Sequence, residues 1–110
     1  MKYPKRNDIY WVNLDPTVGS EIQKTRPAII ISNNTGNQYS QRVIVAPITS
    51  QTKNIFPFES PIVVNNKKGK VLLDQICAID KKRLGTYISS ATREEIENVN
   101  IALKVVVALK

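Results

Sequence analysis

The sequence predicts a mostly β fold, a small antiparallel barrel closed by a C-terminal helix. Three observations carry that expectation. Short runs of branched and aromatic residues recur along the chain, separated by clusters of proline, glycine and asparagine. The runs do not alternate with helical patterns, which argues against a doubly wound parallel sheet. One helical signature is found, at the C-terminal end. With 110 residues, 42% of them apolar, the chain can close one core without disulfides or metals. No repeat or linker divides it, so a single domain over residues 1–110 is expected.

Residues 8–14, Asp-Ile-Tyr-Trp-Val-Asn-Leu, read as a first strand that enters a long loop at 15–25 through Asp-Pro-Thr-Val-Gly-Ser. Arg26 and Pro27 then introduce Ala-Ile-Ile-Ile-Ser at 28–32, whose unbroken apolar character predicts a strand buried on both faces. A polar loop is expected over 33–41, where two asparagines adjoin and Gly36 follows. A third strand covers 42–46 and is stopped by Pro47, with Ile48, Thr49 and Ser50 at its exit. After a loop at 51–58 come a fourth strand at 60–64, a basic turn with Gly69 at 65–70, and a fifth strand at 71–79 that includes Asp74 and Gln75. A last short strand covers 84–88. Thr92-Arg-Glu-Glu95 fits a capping box, in which the hydroxyl accepts from the third helical N–H and Glu95 reaches back. Ile96, Val99, Leu103 and Val106 follow at spacings of three or four, which marks one apolar helix face.

Composition narrows the chemistry. Sixteen Lys and Arg against nine Asp and Glu give a charge of +7, which favours polyanionic partners, nucleic acid or an acidic protein, although a merely solvated basic surface has the same composition. The chain has no histidine, so it lacks the commonest general base and the commonest transition-metal ligand. Catalysis must then run on Arg, Lys, Thr, Ser, Tyr or carboxylates. Cys77, the one cysteine, lies in an apolar run and is expected in the core; internal disulfides are excluded, and a reducing cytoplasm is the expected compartment. The apolar stretches are too short for a membrane span, and residues 1–8 lack the apolar core of a signal peptide, so a soluble protein without membrane contact is expected. Neither a Walker nor a Rossmann glycine spacing occurs. Asp74 and Asp80, without histidine or a second cysteine, suit ion pairing with the lysine-rich cluster at 81–83 better than a metal. No metal and no cofactor are expected.

Polar groups concentrate in two loops and one strand. Thr17, Gly19, Ser20, Glu21, Lys24 and Arg26 belong to the first loop, residues 49–53 to the second, and Asp74 and Gln75 to the strand. Meeting at one end of a barrel, the two loops would form a cationic cleft. Arg26 offers a planar fork suited to phosphate, or pairs with a carboxylate such as Glu21. Thr49 can donate to a phosphate oxygen, or simply satisfy a strand end. Trp11, Phe56 and Tyr87 can stack a base, or fill the core.

Taken together, Asp-Ile-Tyr-Trp-Val-Asn-Leu-Asp-Pro-Thr from Asp8 to Thr17, Gly-Ser-Glu at Gly19 to Glu21, Arg-Pro-Ala-Ile-Ile-Ile-Ser from Arg26, Val-Ala-Pro-Ile-Thr-Ser from Val45, and Val-Leu-Leu-Asp-Gln from Val71 with Ile79 and Asp80 closely resemble the MazF/PemK/Kid toxins. The match runs in order from about residue 8 to the terminal helix. Asn7 departs from it, since the family usually places glycine there.

The resemblance implies a small SH3-like barrel of the MazF/CcdB type and a homodimer formed through the terminal strand and helix regions. It implies a metal-independent, sequence-specific endoribonuclease that cuts single-stranded mRNA. The ribose 2′-hydroxyl would attack the adjacent phosphate and leave 2′,3′-cyclic phosphate and 5′-hydroxyl ends, arresting translation and growth. Carried over by position, Arg26 would stabilise the phosphorane and protonate the leaving oxygen, Thr49 would hold a non-bridging oxygen, and Glu21 would act as base or orient the nucleophile. Thr17, Gly19, Ser20, Lys24, Ser50, Gln51, Lys53, Phe56 and Gln75 would line the RNA path. The implied partner is an acidic MazE/PemI-like antitoxin covering the same cleft, with Trp11 as a contact. Two other readings stay open: a noncatalytic barrel that binds nucleic acid, and a CcdB-like gyrase poison, which would be marked by DNA-damage signalling rather than mRNA loss.

Overall fold

The computed structural model describes residues 3–14 and 25–110. The branched runs build strands β1 (Asp8–Asn13), β2 (Thr25–Ile30), β3 (Arg42–Thr49), β4 (Glu59–Val64), β5 (Lys67–Leu72), β6 (Cys77–Asp80) and β7 (Leu84–Ser90). Two helices accompany them, α1 (Asn34–Tyr39) and α2 (Arg93–Val106). The strands pair antiparallel in the order β4-β5-β3-β2-β1-β7, with β6 also on β3. The sheet curls as a half-barrel, and α2 packs against β4 and the turn after β5.

Alternation along β2 serves two cores. Ile29 joins Ile9, Ile48, Val71 and Leu73 in the cluster that α2 covers with Val99 and Ala102. Ala28 and Ile30 point the other way, into a cluster with Val12, Val43, Val45 and Ile79. The strand is thus buried on both faces, as its composition predicts. Each such branched side chain contributes about 1.5–3 kcal/mol relative to exposure.

The capping box of α2 forms as expected: Glu95 N–H donates to Thr92 Oγ1 at 3.2 Å and Thr92 N–H to Glu95 Oε1 at 2.9 Å. Glu95 Oε2 also accepts Val63 N–H at 2.8 Å, so the cap bolts the helix to β4. Val99 is fully buried, Leu103 and Val106 pack on the core, and Ile96 is half-buried.

Several expectations are corrected. The polar loop at 33–41 contains α1: Asn33 caps it by accepting Gly36 N–H at 2.7 Å, and buried Asn37 donates to Ser32 O at 2.9 Å. Asparagine satisfies helix ends as readily as turns, and composition cannot separate the two. Pro47 does not stop β3. It faces Ala28 where β3 exchanges β6 for β5 on its other edge, so the missing N–H costs no ladder bond. The basic turn shrinks to Asn65 and Asn66, both with positive φ (51° and 63°), and β5 begins at Lys67. This is the two-residue hairpin geometry that asparagine tolerates. The strand expected over 71–79 is broken by a 3-10 turn, Leu73–Gln75, which separates β5 from β6. Cys77 is exposed at the start of β6 rather than in the core. Asp80 accepts Lys82 N–H at 2.8 Å and so caps a 3-10 turn.

Asn7 explains its own departure from the family pattern. Its φ of 78° lies in the left-handed region that glycine favours and asparagine tolerates. From there its N–H donates to Ile30 O at 2.7 Å and its carbonyl accepts Ala91 N–H at 3.0 Å. Arg6 beside it donates to Ile31 O at 2.9 Å and Asn100 Oδ1 at 3.0 Å, tying this corner to α2.

Candidate functional site

At one end of the sheet, β2, β3 and the β4–β5 hairpin enclose a cleft of about 530 Å³. Its position follows from the strand register. Ala28 faces Pro47 where the β2–β3 ladder ends, and Arg26 and Thr49 lie two residues beyond that pair, each on its own strand. Both side chains line the cleft, with Thr25, Ser50 and Trp11 beside them. Pro27, Ile48 and Val64 form an apolar wall, and Asn65, Lys67, Lys68 and Gly69 close the hairpin side.

Arg26, Lys67 and Lys68 are exposed cations, and no carboxylate is present among the described lining residues. Among the described residues none of these three cations is in an ion pair. The field in the cleft is therefore positive and suited to an anion. Thr49 Oγ1 accepts Gln51 N–H at 3.2 Å, which occupies one lone pair and leaves the hydroxyl proton to donate. The strand-end role and the donor role of this threonine are compatible.

The cleft therefore gathers Arg26, Thr49, Ser50 and Trp11 from the sequence-derived set. Trp11 is 39% exposed, so it serves the cleft rather than the core. Gln51, Lys53, Phe56 and Gln75 do not line it. Phe56 is exposed and stacks on Phe58, ring centroids 5.4 Å apart. Gln75 belongs to the 3-10 turn, and neighbouring Asp74 faces a separate hollow with Phe58, Val105 and Val106. Tyr87 is exposed on β7, edge-on to Tyr10 at 5.6 Å, with its hydroxyl 2.9 Å from Ser90 Oγ. Thr17, Gly19, Ser20, Glu21 and Lys24 lie outside the described residues.

Sequence reasoning missed Lys67 and Lys68. The available signal was the Asn-Asn pair between two branched runs, which marks a hairpin and converts a solvated basic turn into a projecting arm. Cys77 does not line the cleft, and desolvation, only partly opposed by Arg83, pushes its thiol pKa up. Among the described residues no helix is long and apolar enough to cross a membrane.

Residues 5–107 match the model of a family described as PemK-like, MazF-like toxin of type II toxin-antitoxin system. The chain is similar in structure to an endoribonuclease in complex with its cognate antitoxin from a mycobacterial species, at 25% identity, 97% coverage of each chain and a TM-score of 0.82. It is also similar to MazF from Deinococcus radiodurans, at 24% identity, 99% coverage of this chain and 100% of the other, TM-score 0.81. A third similar structure is the Mycobacterium tuberculosis toxin MazF-mt6, at 24% identity, 94% and 98% coverage, TM-score 0.78.

Proposed function

The chain belongs to the family of PemK-like, MazF-like toxins of type II toxin-antitoxin systems, which are endoribonucleases, and on that premise we propose that its cleft cuts single-stranded mRNA without a metal ion. The ribose 2′-oxygen attacks the adjacent phosphorus and gives up its proton as the bond to the 5′-oxygen breaks. The products are a 2′,3′-cyclic phosphate and a 5′-hydroxyl, whose proton comes from water while the proton of the 2′-hydroxyl leaves on Glu21.

Arg26 neutralises charge that builds on the pentacoordinate phosphorus. Its guanidinium stays protonated at any working pH, which suits a fixed electrostatic role better than proton transfer. Thr49 donates its hydroxyl hydrogen to a non-bridging oxygen, and Glu21 takes the proton from the 2′-hydroxyl. Ser50 extends the RNA path from Thr49, and Trp11 offers a ring to a base or to an antitoxin side chain. The observation that carries this reading is the meeting of Arg26 and Thr49 in a cationic cleft where the β2–β3 ladder ends.

The same cationic cleft suits an acidic antitoxin, and an antitoxin partner is in keeping with the similar mycobacterial endoribonuclease in complex with its cognate antitoxin. Homodimerisation is supported by α2, which leaves Ile101 and Val105 exposed one turn apart, and by exposed Val107 and Leu109 beyond it. The protein acts in the cytoplasm, where its mRNA substrate is translated. Overproduction without antitoxin is expected to arrest growth and deplete intact mRNA, and Arg26→Ala to relieve both. Equal toxicity from Arg26→Ala would remove the cleft from the reaction.

A further inference from the structure

We propose that the tip of the β4–β5 hairpin is a second phosphate-binding arm of the cleft, in which Lys67 and Lys68 grip a backbone phosphate next to the one that Arg26 and Thr49 address. The proposal rests on the reading that this cleft cuts RNA, and it adds residues and a subsite to it.

The hairpin is built to hold those lysines still. Its strands pair without interruption from Glu59 opposite Leu72 to Val64 opposite Lys67, and Asn65 and Asn66 close it as a tight turn. A turn of this kind has little freedom, so the ammonium groups hang from a fixed backbone rather than from a loose loop. Gly69 couples the arm to the reaction centre. A Cβ at Gly69 would lie 2.6 Å from the carbonyl oxygen of Thr49, so β5 rests directly on the backbone of that threonine. Thr49 itself pairs with Lys70. The distance between the hairpin and Thr49 is therefore set by main chain against main chain.

Successive strand residues point to opposite faces, yet Lys67 and Lys68 both line the cleft, so the cleft wraps around the hairpin tip. Both lysines are exposed, and among the described residues neither is in an ion pair. A polyanion meets two cations whose charge is not already used. An acidic peptide would also satisfy them. The phosphodiester backbone is favoured because the cations stand beside an apolar wall of Trp11, Pro27 and Ile48, which offers a base a surface to lie on.

The test compares wild type, Lys67→Gln/Lys68→Gln and Lys67→Arg/Lys68→Arg on one long single-stranded RNA across a series of salt concentrations. For the Gln variant we expect an unchanged melting temperature, a kcat within about twofold, and a KM raised about tenfold. Its slope of log KM against log salt should be shallower by about 0.7, the share of the one phosphate that is no longer neutralised. The Arg variant should keep the wild-type slope. If wild type cuts RNA while the Gln variant keeps both KM and slope, the hairpin proposal is overturned and the cleft reading survives. It is equally overturned if the Gln variant loses only its inhibition by an acidic polypeptide such as polyglutamate. If wild type cuts no RNA, both fall together.

Discussion

Lys70 stands on the same strand as Lys67 and Lys68, three and two residues away, and the fold puts these lysines to opposite uses. Lys70 is only 7% exposed, its Nζ is 2.8 Å from Glu59 Oε1 and 3.2 Å from Asn54 O, and it sits 5.8 Å from the Phe56 ring centroid. Glu59 in turn accepts Phe56 N–H at 3.0 Å. One ion pair thus fastens the loop between β3 and β4 at two points. Lys67 and Lys68 occupy the last two pairings of the hairpin, opposite Val64 and Val63, and no carboxylate is among the described residues that line the cleft there. What a lysine does here is decided by what the topology brings opposite it. A buried ammonium requires a partner, and an exposed one at a cleft mouth is left for a ligand.

The largest effect expected from breaking this contrast is on stability. Lys70→Met leaves the Glu59 carboxylate buried without its cation and should cost about 3 kcal/mol in chemical denaturation, most of it recovered in Lys70→Met/Glu59→Gln. A loss within error for the single variant would show that the pair is not structural. Gly69→Ala comes next. Its new Cβ meets the Thr49 carbonyl, so β5 must move away, at a cost of about 1–3 kcal/mol. Because Thr49 is displaced as well, kcat should fall in Gly69→Ala while it holds in the Lys67→Gln/Lys68→Gln variant.

The smallest effect is a pH dependence. Burial pushes the Glu59 carboxyl up, but its hydrogen bonds from Lys70 and Phe56 N–H outweigh that and hold it below the usual carboxylate range. A carboxyl lowered by folding stabilises fully above its unfolded value, about 4.3, and loses that contribution as pH falls through the lower folded value. Denaturation free energy should therefore fall in acid, and by less in Glu59→Gln. An identical acid slope in the two proteins would contradict the ion pair's role.

The contrast also marks how far the sequence could be read. Runs of branched and aromatic residues identify β1 and β2, apolar residues spaced by three or four identify α2, and the Thr92 to Glu95 spacing fixes the start of the helix, because these signals are local. Pro47 misleads, since its tolerance depends on which strands flank β3, a fact of topology. The break at Leu73–Gln75 is hidden for the same reason: the residues stay apolar and polar in a strand-like order, while the strands on either side pair with different stretches of β3. In the cleft, Arg26, Thr49, Ser50 and Trp11 were legible from residue type and family resemblance. Lys67 and Lys68 were not, because a basic turn looks solvated until its register carries it to the end of β3. Gln51, Lys53 and Phe56 follow Thr49 in sequence but leave the cleft along the loop that Lys70 and Glu59 pin.

Cleavage in this cleft is proposed to run through the ribose 2′-hydroxyl. The most direct measurement incubates the purified protein, in excess EDTA, with a single-stranded RNA and with the same strand carrying one deoxyribose at the cut position, beside the Arg26→Ala protein, and maps the ends of every fragment. Attack by the 2′-hydroxyl should give discrete cuts in the RNA with 2′,3′-cyclic phosphate and 5′-hydroxyl ends, no cut at the deoxyribose, and loss of cutting by about 100-fold or more in Arg26→Ala. Fragments ending in 5′-phosphate, or a cut at the deoxyribose, would contradict it.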